Sequence, residues 1–519
     1  MAVKIFMLFV FFGLMIAIGW YSRHQARTVE GYVLGGRSVG PWISAFAYGT
    51  SYFSAVVFVG YAGQFGWKYG LASTWIGIGN AFIGSLLAWV ILGRRTRVMT
   101  KHLNSATMPA FFESRYSSSA LKIVASAIIF IFLIPYTASV YNGLSNLFEM
   151  AFGIPYIYCV IMMAALTCVY VLLGGYTATV YNDFIQGIIM LIGIVAVILA
   201  VLNGHGGFLE AVKSLSAIPS DNPVTVGQQG AFASFFGPDP MGLMYVIILT
   251  SLGTWGLPQM VGKFYAIKDE KSIKAGTVIS TAFAAVVAGG CYFLGGFARL
   301  YEGNPAIYKE DGGVMYDAIV PTMLSGLPDV LIGIVIVLVL SASMSTLSSL
   351  VLTSSSTVTL DLIALIGNKK NEDKKKVDKR NLVTMRLLLV FFIVVSVVLS
   401  LNPPTFIAQL MGYSWGALAG SFLAPFLWGL YWKKTTKLSV WACFIAGVGL
   451  TVSNMVFQYV SSPINMGAIT MLAGLVIVPL VSLITPKLGA DKVEEIFECY
   501  NEKVTIEKRY SLEENEGEA

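Results

Sequence analysis

The segment Leu340-Ser341-Ala342-Ser343-Met344-Ser345-Thr346-Leu347-Ser348-Ser349 concentrates small hydroxyl side chains inside a stretch apolar enough to cross a membrane. Hydroxyls in lipid must find partners. On a helix, Ala342, Ser345, Thr346 and Ser349 fall at i, i+3, i+4 and i+7 and share one face, with Ser348 beside it. Oxygens lined up in this way, facing a second wall of oxygens, suit a hard cation such as sodium. The same pattern also marks a tight helix–helix contact, and this segment alone leaves both readings open.

The elements that must position such a helix follow from composition. The 519 residues are 56% hydrophobic and only 12% charged, with a mean hydropathy of +0.73. No water-soluble domain carries such a balance, so the chain reads as an all-α, polytopic membrane protein. Apolar runs matched to a hydrocarbon core of roughly 30 Å recur about thirteen times between residues 3 and 484. No length remains for a sizeable soluble domain. The net charge of +6 is no nucleic-acid signal, because Lys and Arg collect in short connections between spans. Cys159, Cys168, Cys291, Cys443 and Cys499 have no paired or metal-ligand spacing, so neither disulfide nor metal centre is expected. His24, His102 and His205 are the only histidines and all fall in connections, so nothing resembles an enzyme's catalytic cluster.

The spans are read as 3–21, 38–64, 70–93, 119–146, 155–173, 179–203, 241–262, 275–300, 323–357, 386–402, 405–432, 438–458 and 466–484. The basic connections 22–37, 94–118, 263–274, 369–386 and 433–437 all fall on one side of this arrangement, which puts the N-terminus outside and the C-terminus inside a cell membrane. The longer connections 204–240 and 301–322 fall outside, and the charged segment 485–519 reads as a cytoplasmic tail. Two spans are interrupted, at Ala47-Tyr48-Gly49-Thr50-Ser51-Tyr52-Phe53-Ser54 and at Thr250-Ser251-Leu252-Gly253-Thr254-Trp255-Gly256-Leu257-Pro258. They lie five spans apart. An odd separation inverts the second group of five relative to the first, which is the layout of an inverted-repeat transporter whose broken helices expose carbonyls and half-helix ends at mid-membrane.

Leu34-Gly35-Gly36-Arg37-Ser38, Gly174-Gly175-Tyr176 followed by Asp183-Phe184-Ile185-Gln186-Gly187, and Met344-Ser345-Thr346-Leu347-Ser348 resemble the sodium:solute symporter family. That family includes carriers of proline, pantothenate, galactose, sialic acid and iodide, and the likeness covers most of residues 20–435. It implies a leucine-transporter-like five-plus-five inverted repeat with one span before it and two after. On that plan residues 1–37 hold the first span and a cytoplasmic loop, 38–203 the first repeat, 204–240 an extracellular loop, 241–432 the second repeat and 433–484 two peripheral spans. The resemblance implies one sodium site from Thr50, Phe53 and Ala342 by carbonyl, with Ser345 and Thr346 by hydroxyl. A second site, present in some relatives, maps to Asp183, Ser345, Ser348 and Ser349. An ionised carboxylate at membrane depth is costly unless a cation pairs with it.

Candidate solute contacts are Gln64, Asn80, Tyr136, Tyr141, Asn142, Thr254, Trp255 and Gln409. Relatives place a substrate-facing residue at Tyr136, where sialic acid carriers have an arginine. The acid and lysine of the galactose carrier are missing, and Tyr52 stands where proline carriers have an aspartate. What remains is an aromatic, amide-bearing pocket without fixed charge, suited to a neutral amino acid such as proline or to a monocarboxylate. The expected activity is sodium-coupled uptake by alternating access, with a small solute and the lipid bilayer as partners and no obligatory protein partner. The alternatives are a sodium-dependent membrane sensor, or a symporter of pantothenate or a sugar.

Overall fold

The computed structural model describes residues 2–22, 28–363, 374–402 and 404–501. It is helical throughout, with only two isolated β-bridges among the described residues. Among the described residues, nine helices are long and apolar enough to cross a membrane, or ten if a pair bent by 41° is one span. The side chains facing outward from them are large and apolar, including Phe9, Trp20, Ile192, Val278, Leu387 and Phe457. Such a surface is stable only against lipid.

The elements are, in order, α1 (Ala2–Ser22), α2 (Pro41–Tyr52), α3 (56–69), α4 (74–102), α5 (Met108–Tyr116), α6 (Ser119–Phe152) and α7 (Tyr156–Gly204). Then follow α8 (Pro240–Leu252), α9 (Pro258–Tyr265), α10 (Glu270–Gly295), α11 (Tyr316–Ser325) and α12 (Asp329–Thr357). The series ends with α13 (Lys374–Leu401), α14 (Ile407–Tyr431), α15 (Lys437–Phe457), α16 (Pro463–Ile484) and α17 (Ala490–Glu498). The hydroxyl-rich α12 is the central post. It packs on α7, α6, α13, α1 and α2, and nearly all of its side chains from Val335 to Thr357 are buried.

Both expected interruptions are present. Helix α2 stops at Tyr52, Phe53 adopts extended backbone, and Ser54 starts the next helix by accepting the Val56 N–H on its hydroxyl at 3.1 Å. The second lies between α8 and α9, where a short 3-10 turn, Gly253–Trp255, precedes Pro258 at the first turn of α9. Gly175, at φ 54°, divides α7 into two helices, and Gly70, at φ 60°, ends α3. Each is a left-handed position that glycine adopts without strain.

Several boundaries differ from the sequence reading. The span drawn over 323–357 begins at Asp329, because the turn after α11 separates residues 316–325 from it. Part of the basic connection 369–386 is helical, since α13 starts at Lys374; its residues 369–373 lie outside the described residues. Basic residues at a helix end keep their heads in water while the backbone continues. The tail is not featureless: α17 docks on the bundle through Val493, Ile496 and Phe497. Arg23, His24, Arg27 and the chain after 501 lie outside the described residues.

Candidate functional site

The break after Tyr52 leaves carbonyls without helical partners, since the last turn of any helix does so. Residues of α12 take them. Ser345 Oγ donates to the Thr50 carbonyl at 2.9 Å and lies 3.1 Å from the Ala342 carbonyl. Thr346 Oγ1 lies 3.3 Å from the Ser51 carbonyl, 3.2 Å from that of Ala342 and 3.5 Å from that of Thr50. All of these residues are at most 2% exposed. Thr50, Ala342, Ser345 and Thr346 are therefore gathered at one point, with the Ser51 carbonyl as a further oxygen that the sequence reading did not name. Oxygens around a hard cation at about 2.3–2.6 Å sit roughly 3.3–3.7 Å apart in an octahedral shell. The observed spacings need only small relaxation to reach that. Phe53, the extended residue at the break, stacks its ring on Tyr52 at 4.3 Å and packs against Phe283.

The second constellation is assembled differently. Ser348 Oγ donates to the Ser345 carbonyl at 2.9 Å, and the Ser349 hydroxyl pairs with that of Ser51 at 2.9 Å. Asp183 bonds to none of these serines. It is fully buried, and its Oδ2 lies 3.3 Å from Nζ of Lys263, which is itself 3% exposed, on α9. The other oxygen, Oδ1, has no hydrogen-bond partner. Lys263 had been counted with the basic connection 263–274. The backbone instead carries it inward as the last turn of α9, where its ammonium also faces the Tyr176 ring at 5.4 Å. Nor is Asp183 the only inward acid. Asp361 is buried and accepts from Thr107 Oγ1 at 2.6 Å, and Asp317 accepts the Ile407 N–H at 3.1 Å from the first turn of α14.

The solute candidates separate into groups. Tyr136 meets Trp415 of α14 edge to face at 5.9 Å, and Tyr52 lies 6.5 Å from the same indole while donating its hydroxyl to the Thr250 carbonyl at 2.5 Å. Tyr52 thereby ties one helix break to the other. Thr254 and Trp255 donate to the Gly84 and Ile83 carbonyls at 3.3 and 3.0 Å. Both carbonyls lie in a π-helical turn formed by residues 80–87. Asn80, in that turn, accepts from Ser251 at 3.1 Å. Gln64 is 2% exposed, with its Oε1 unpartnered.

Three candidates go elsewhere. Tyr141, whose buried hydroxyl also has no hydrogen-bond partner, lies beside Thr167 and Cys168 of α7. Asn142 joins Tyr156 and Ser400 at a helix contact, and Gln409 is held by Thr405 one turn away. The sequence reading missed Tyr61, Tyr292 and Trp415. Their hydroxyls and indole N–H are buried without hydrogen-bond partners, as is the Asn80 amide nitrogen, and Tyr61 and Tyr292 stand close to Tyr136 and Tyr52. Aromatic residues in apolar spans look like packing, and only the unpartnered polar atoms single them out.

Below this level a cavity runs between Thr107 and Met108 of α5, Gln259 and Lys263 of α9, Tyr176 and Thr179 of α7, and Ser349 of α12. Arg37, at the end of the Gly-Gly-Arg turn, donates to the carbonyls of Ser105 and of Tyr265, which lines this cavity, at 3.0 and 3.2 Å.

The family model for the sodium:solute symporter family matches residues 32–447. The chain is 30% identical over 490 residues to the osmoregulated proline transporter OpuE of Bacillus subtilis (strain 168), covering 92% of this chain and 94% of that one. It is likewise 30% identical over 493 residues to a sodium/proline symporter of Staphylococcus aureus (strain JH9), covering 93% and 92% of the two chains. In fold it is similar to a Na+-coupled sialic acid symporter in a substrate-bound outward-open state, with a TM-score of 0.71 at 16% identity over 93% of this chain and 98% of that one. Mhp1, a nucleobase-cation-symport-1 family transporter, in a closed conformation aligns with a TM-score of 0.51 at 13% identity over 90% and 98% of the two chains.

Proposed function

The chain belongs to the sodium:solute symporter family, and from that premise we propose that sodium binds where the broken α2 meets α12 and drives uptake of a neutral, proline-type solute. The protein is a sodium-coupled symporter of the plasma membrane. One observation carries the placement of its ion: carbonyls of Thr50, Ser51 and Ala342 converge with the hydroxyls of Ser345 and Thr346 at a helix end. These groups belong to two different helices. A cation held between them ties the broken helix to the central post, and an ion can bias alternating access only by binding one conformation better than the other.

In this reading the chain crosses the membrane thirteen times, with α7 divided at Gly175 and each interrupted pair counted as one span, and its basic connections face the cytoplasm. The solute sits among Tyr52, Phe53, Tyr136 and Trp415. The unpartnered groups around them, Trp415 N–H, the Tyr61 and Tyr292 hydroxyls and the Asn80 amide, are all able to donate. A donor-rich, uncharged, aromatic pocket suits the carboxylate and apolar ring of a neutral amino acid, and two relatives aligned over more than nine-tenths of their length are named as proline carriers.

Purified protein in liposomes with an inward sodium gradient tests this. Labelled proline should accumulate, and competition by other neutral amino acids, monocarboxylates, pantothenate and sugars should rank in that order. Uptake driven by protons and indifferent to sodium would remove the ion assignment. Sodium-driven uptake of a sugar alone would remove the solute assignment.

A further inference from the structure

We infer that residues 490–501 act as a cytoplasmic strap: docked, they hold the inner mouth of the carrier shut, and they must let go before solute can leave inward. The inference rests on the solute and sodium positions proposed above and goes beyond them to what gates release. The solute site is sealed, since Tyr52, Phe53, Tyr136 and Trp415 are each at most 2% exposed. Two bodies enclose it. Tyr52 and Phe53 belong to the first interrupted span, which Tyr52 ties to the second through the Thr250 carbonyl, whereas Tyr136 stands on α6 and meets Trp415 of α14. A solute leaving toward the cytoplasm passes the cavity between α5, α9, α7 and α12, so the two bodies must part at their cytoplasmic feet.

The feet fall into the same two groups. On one side, Arg94 of α4 pairs with Glu270 at the start of α10 at 2.9 Å, and Arg97 donates to the Ile267 carbonyl between α9 and α10 at 2.5 Å. On the other, Arg115 of α5 donates to the Gly429 and Trp432 carbonyls at the end of α14, at 2.9 and 3.1 Å. The strap bonds to both. The Tyr500 carbonyl accepts from Arg94 at 3.2 Å, while the Tyr500 hydroxyl donates to the Leu430 carbonyl of α14 at 2.8 Å. Phe497 lies over the Arg115 guanidinium at 5.0 Å, and Glu494 holds Lys433, just past α14, at 2.6 Å. Tyr500 therefore reaches the foot of α4 with its backbone and the foot of α14 with its side chain. Arg95 and Tyr431 join those feet directly, through the Leu430 and Ile91 carbonyls at 3.0 and 2.7 Å, so the strap reinforces a closed seam. Contacts made only while the feet are together bias the equilibrium toward the closed mouth. Sodium between α2 and α12 holds the cytoplasmic half of the broken span against the central post, so ion and strap favour the same state.

Two thiols test this in the full-length carrier. Ser356 of α12 lines the cavity and is 3% exposed, so Ser356→Cys reports opening of the mouth, and Cys499, fully buried in the docked strap, reports its release. Inside-out vesicles are treated with a maleimide, with and without sodium, and each site is read by mass spectrometry. Saturating sodium should protect both thiols, and its withdrawal should expose them together. Tyr500→Phe keeps the ring and loses only the bond to Leu430. One ordinary hydrogen bond corresponds to roughly 2- to 10-fold in an equilibrium, so in sodium the thiol of Ser356→Cys should react faster by roughly that factor in the Tyr500→Phe background. Half-activation of uptake should need more sodium, by up to the same factor. Phe497→Leu, which removes the ring over Arg115, should act in the same direction, and either variant decides if the other is poorly made. Wild-type reactivity of Ser356→Cys in both backgrounds, or a mouth that opens while Cys499 stays protected, overturns the inference. Sodium that alters neither thiol and does not drive uptake overturns instead the sites on which it rests.

Discussion

At the scale of single residues, the hydroxyl face of α12 was readable because i, i+3, i+4 spacing leaves no freedom about which side chains share a face, and Ser345 and Thr346 meet the Thr50 and Ser51 carbonyls accordingly. Thr346→Ala removes one oxygen of the proposed sodium site and little else of size. A hydrogen-bond-strength contact to a charged group is worth about 1.5–3 kcal/mol, so half-activation by sodium should move to roughly 10- to 100-fold higher concentration in uptake assays. Thr346→Ser, which keeps the oxygen, should stay within a few-fold. An unchanged sodium requirement in Thr346→Ala would place the ion elsewhere. Lys263 was not readable in the same way. A lysine at the foot of a span looks like a snorkelling interface residue, and only the tertiary path of α9 turns it inward onto Asp183. The aromatic pocket was half readable: Tyr136 was named from sequence, whereas Tyr61, Tyr292 and Trp415 carry no local signal that separates a binding wall from core.

At the scale of elements, glycine and proline mark the interruptions, so both broken spans could be found from sequence. The π-helical turn over 80–87 could not, since nothing in its residues sets it apart from an α-helical run; its Ile83 and Gly84 carbonyls accept from Tyr48, Thr254 and Trp255. Close helix crossings set the spacing of the whole site. A methyl group on Gly66 of α3 would overlap the Gly295 carbonyl of α10, and one on Gly295 would overlap that of Ala62. Small residues at such a crossing let two backbones touch. Overpacking there costs about 1–3 kcal/mol or more where backbone cannot shift. Gly66→Val should therefore lower the melting temperature in detergent and reduce the amount of carrier recovered, whereas Gly13→Val, at a lipid-side position of α1 with open space around it, should change neither. Equal stability of both variants would mean that the α3–α10 contact is looser than its geometry.

At the scale of the whole molecule, the segment expected to be a free charged tail is instead part of the fold up to residue 501. Arg95 is held between the rings of Tyr431 and Tyr500 at 4.0 and 4.5 Å, and Arg115 faces Phe497 at 5.0 Å while bonding to the Gly429 and Trp432 carbonyls. Hydropathy could not reveal this, because α17 is short and its apolar residues recur on one face of a charged helix. A chain ending at residue 488 uncovers the foot of α14 and should melt a few degrees lower in a thermal-shift assay, with sodium-driven uptake in fresh liposomes retained. Loss of uptake without loss of stability would give the segment an obligatory part in transport. The junction of the broken α2 with α12 reaches furthest in physiological terms, because an ion held there would carry its charge across the membrane. A carrier that moves one charge gains about 2.3 kcal/mol from each 100 mV of membrane potential, which at 1.4 kcal/mol per tenfold is about 40-fold accumulation before the sodium gradient is added. Two charges would give roughly 2,000-fold under the same rule. A carrier that held one such ion would load its solute under a lower electrical ceiling than one that held two, and would give up less of that load when the membrane depolarises.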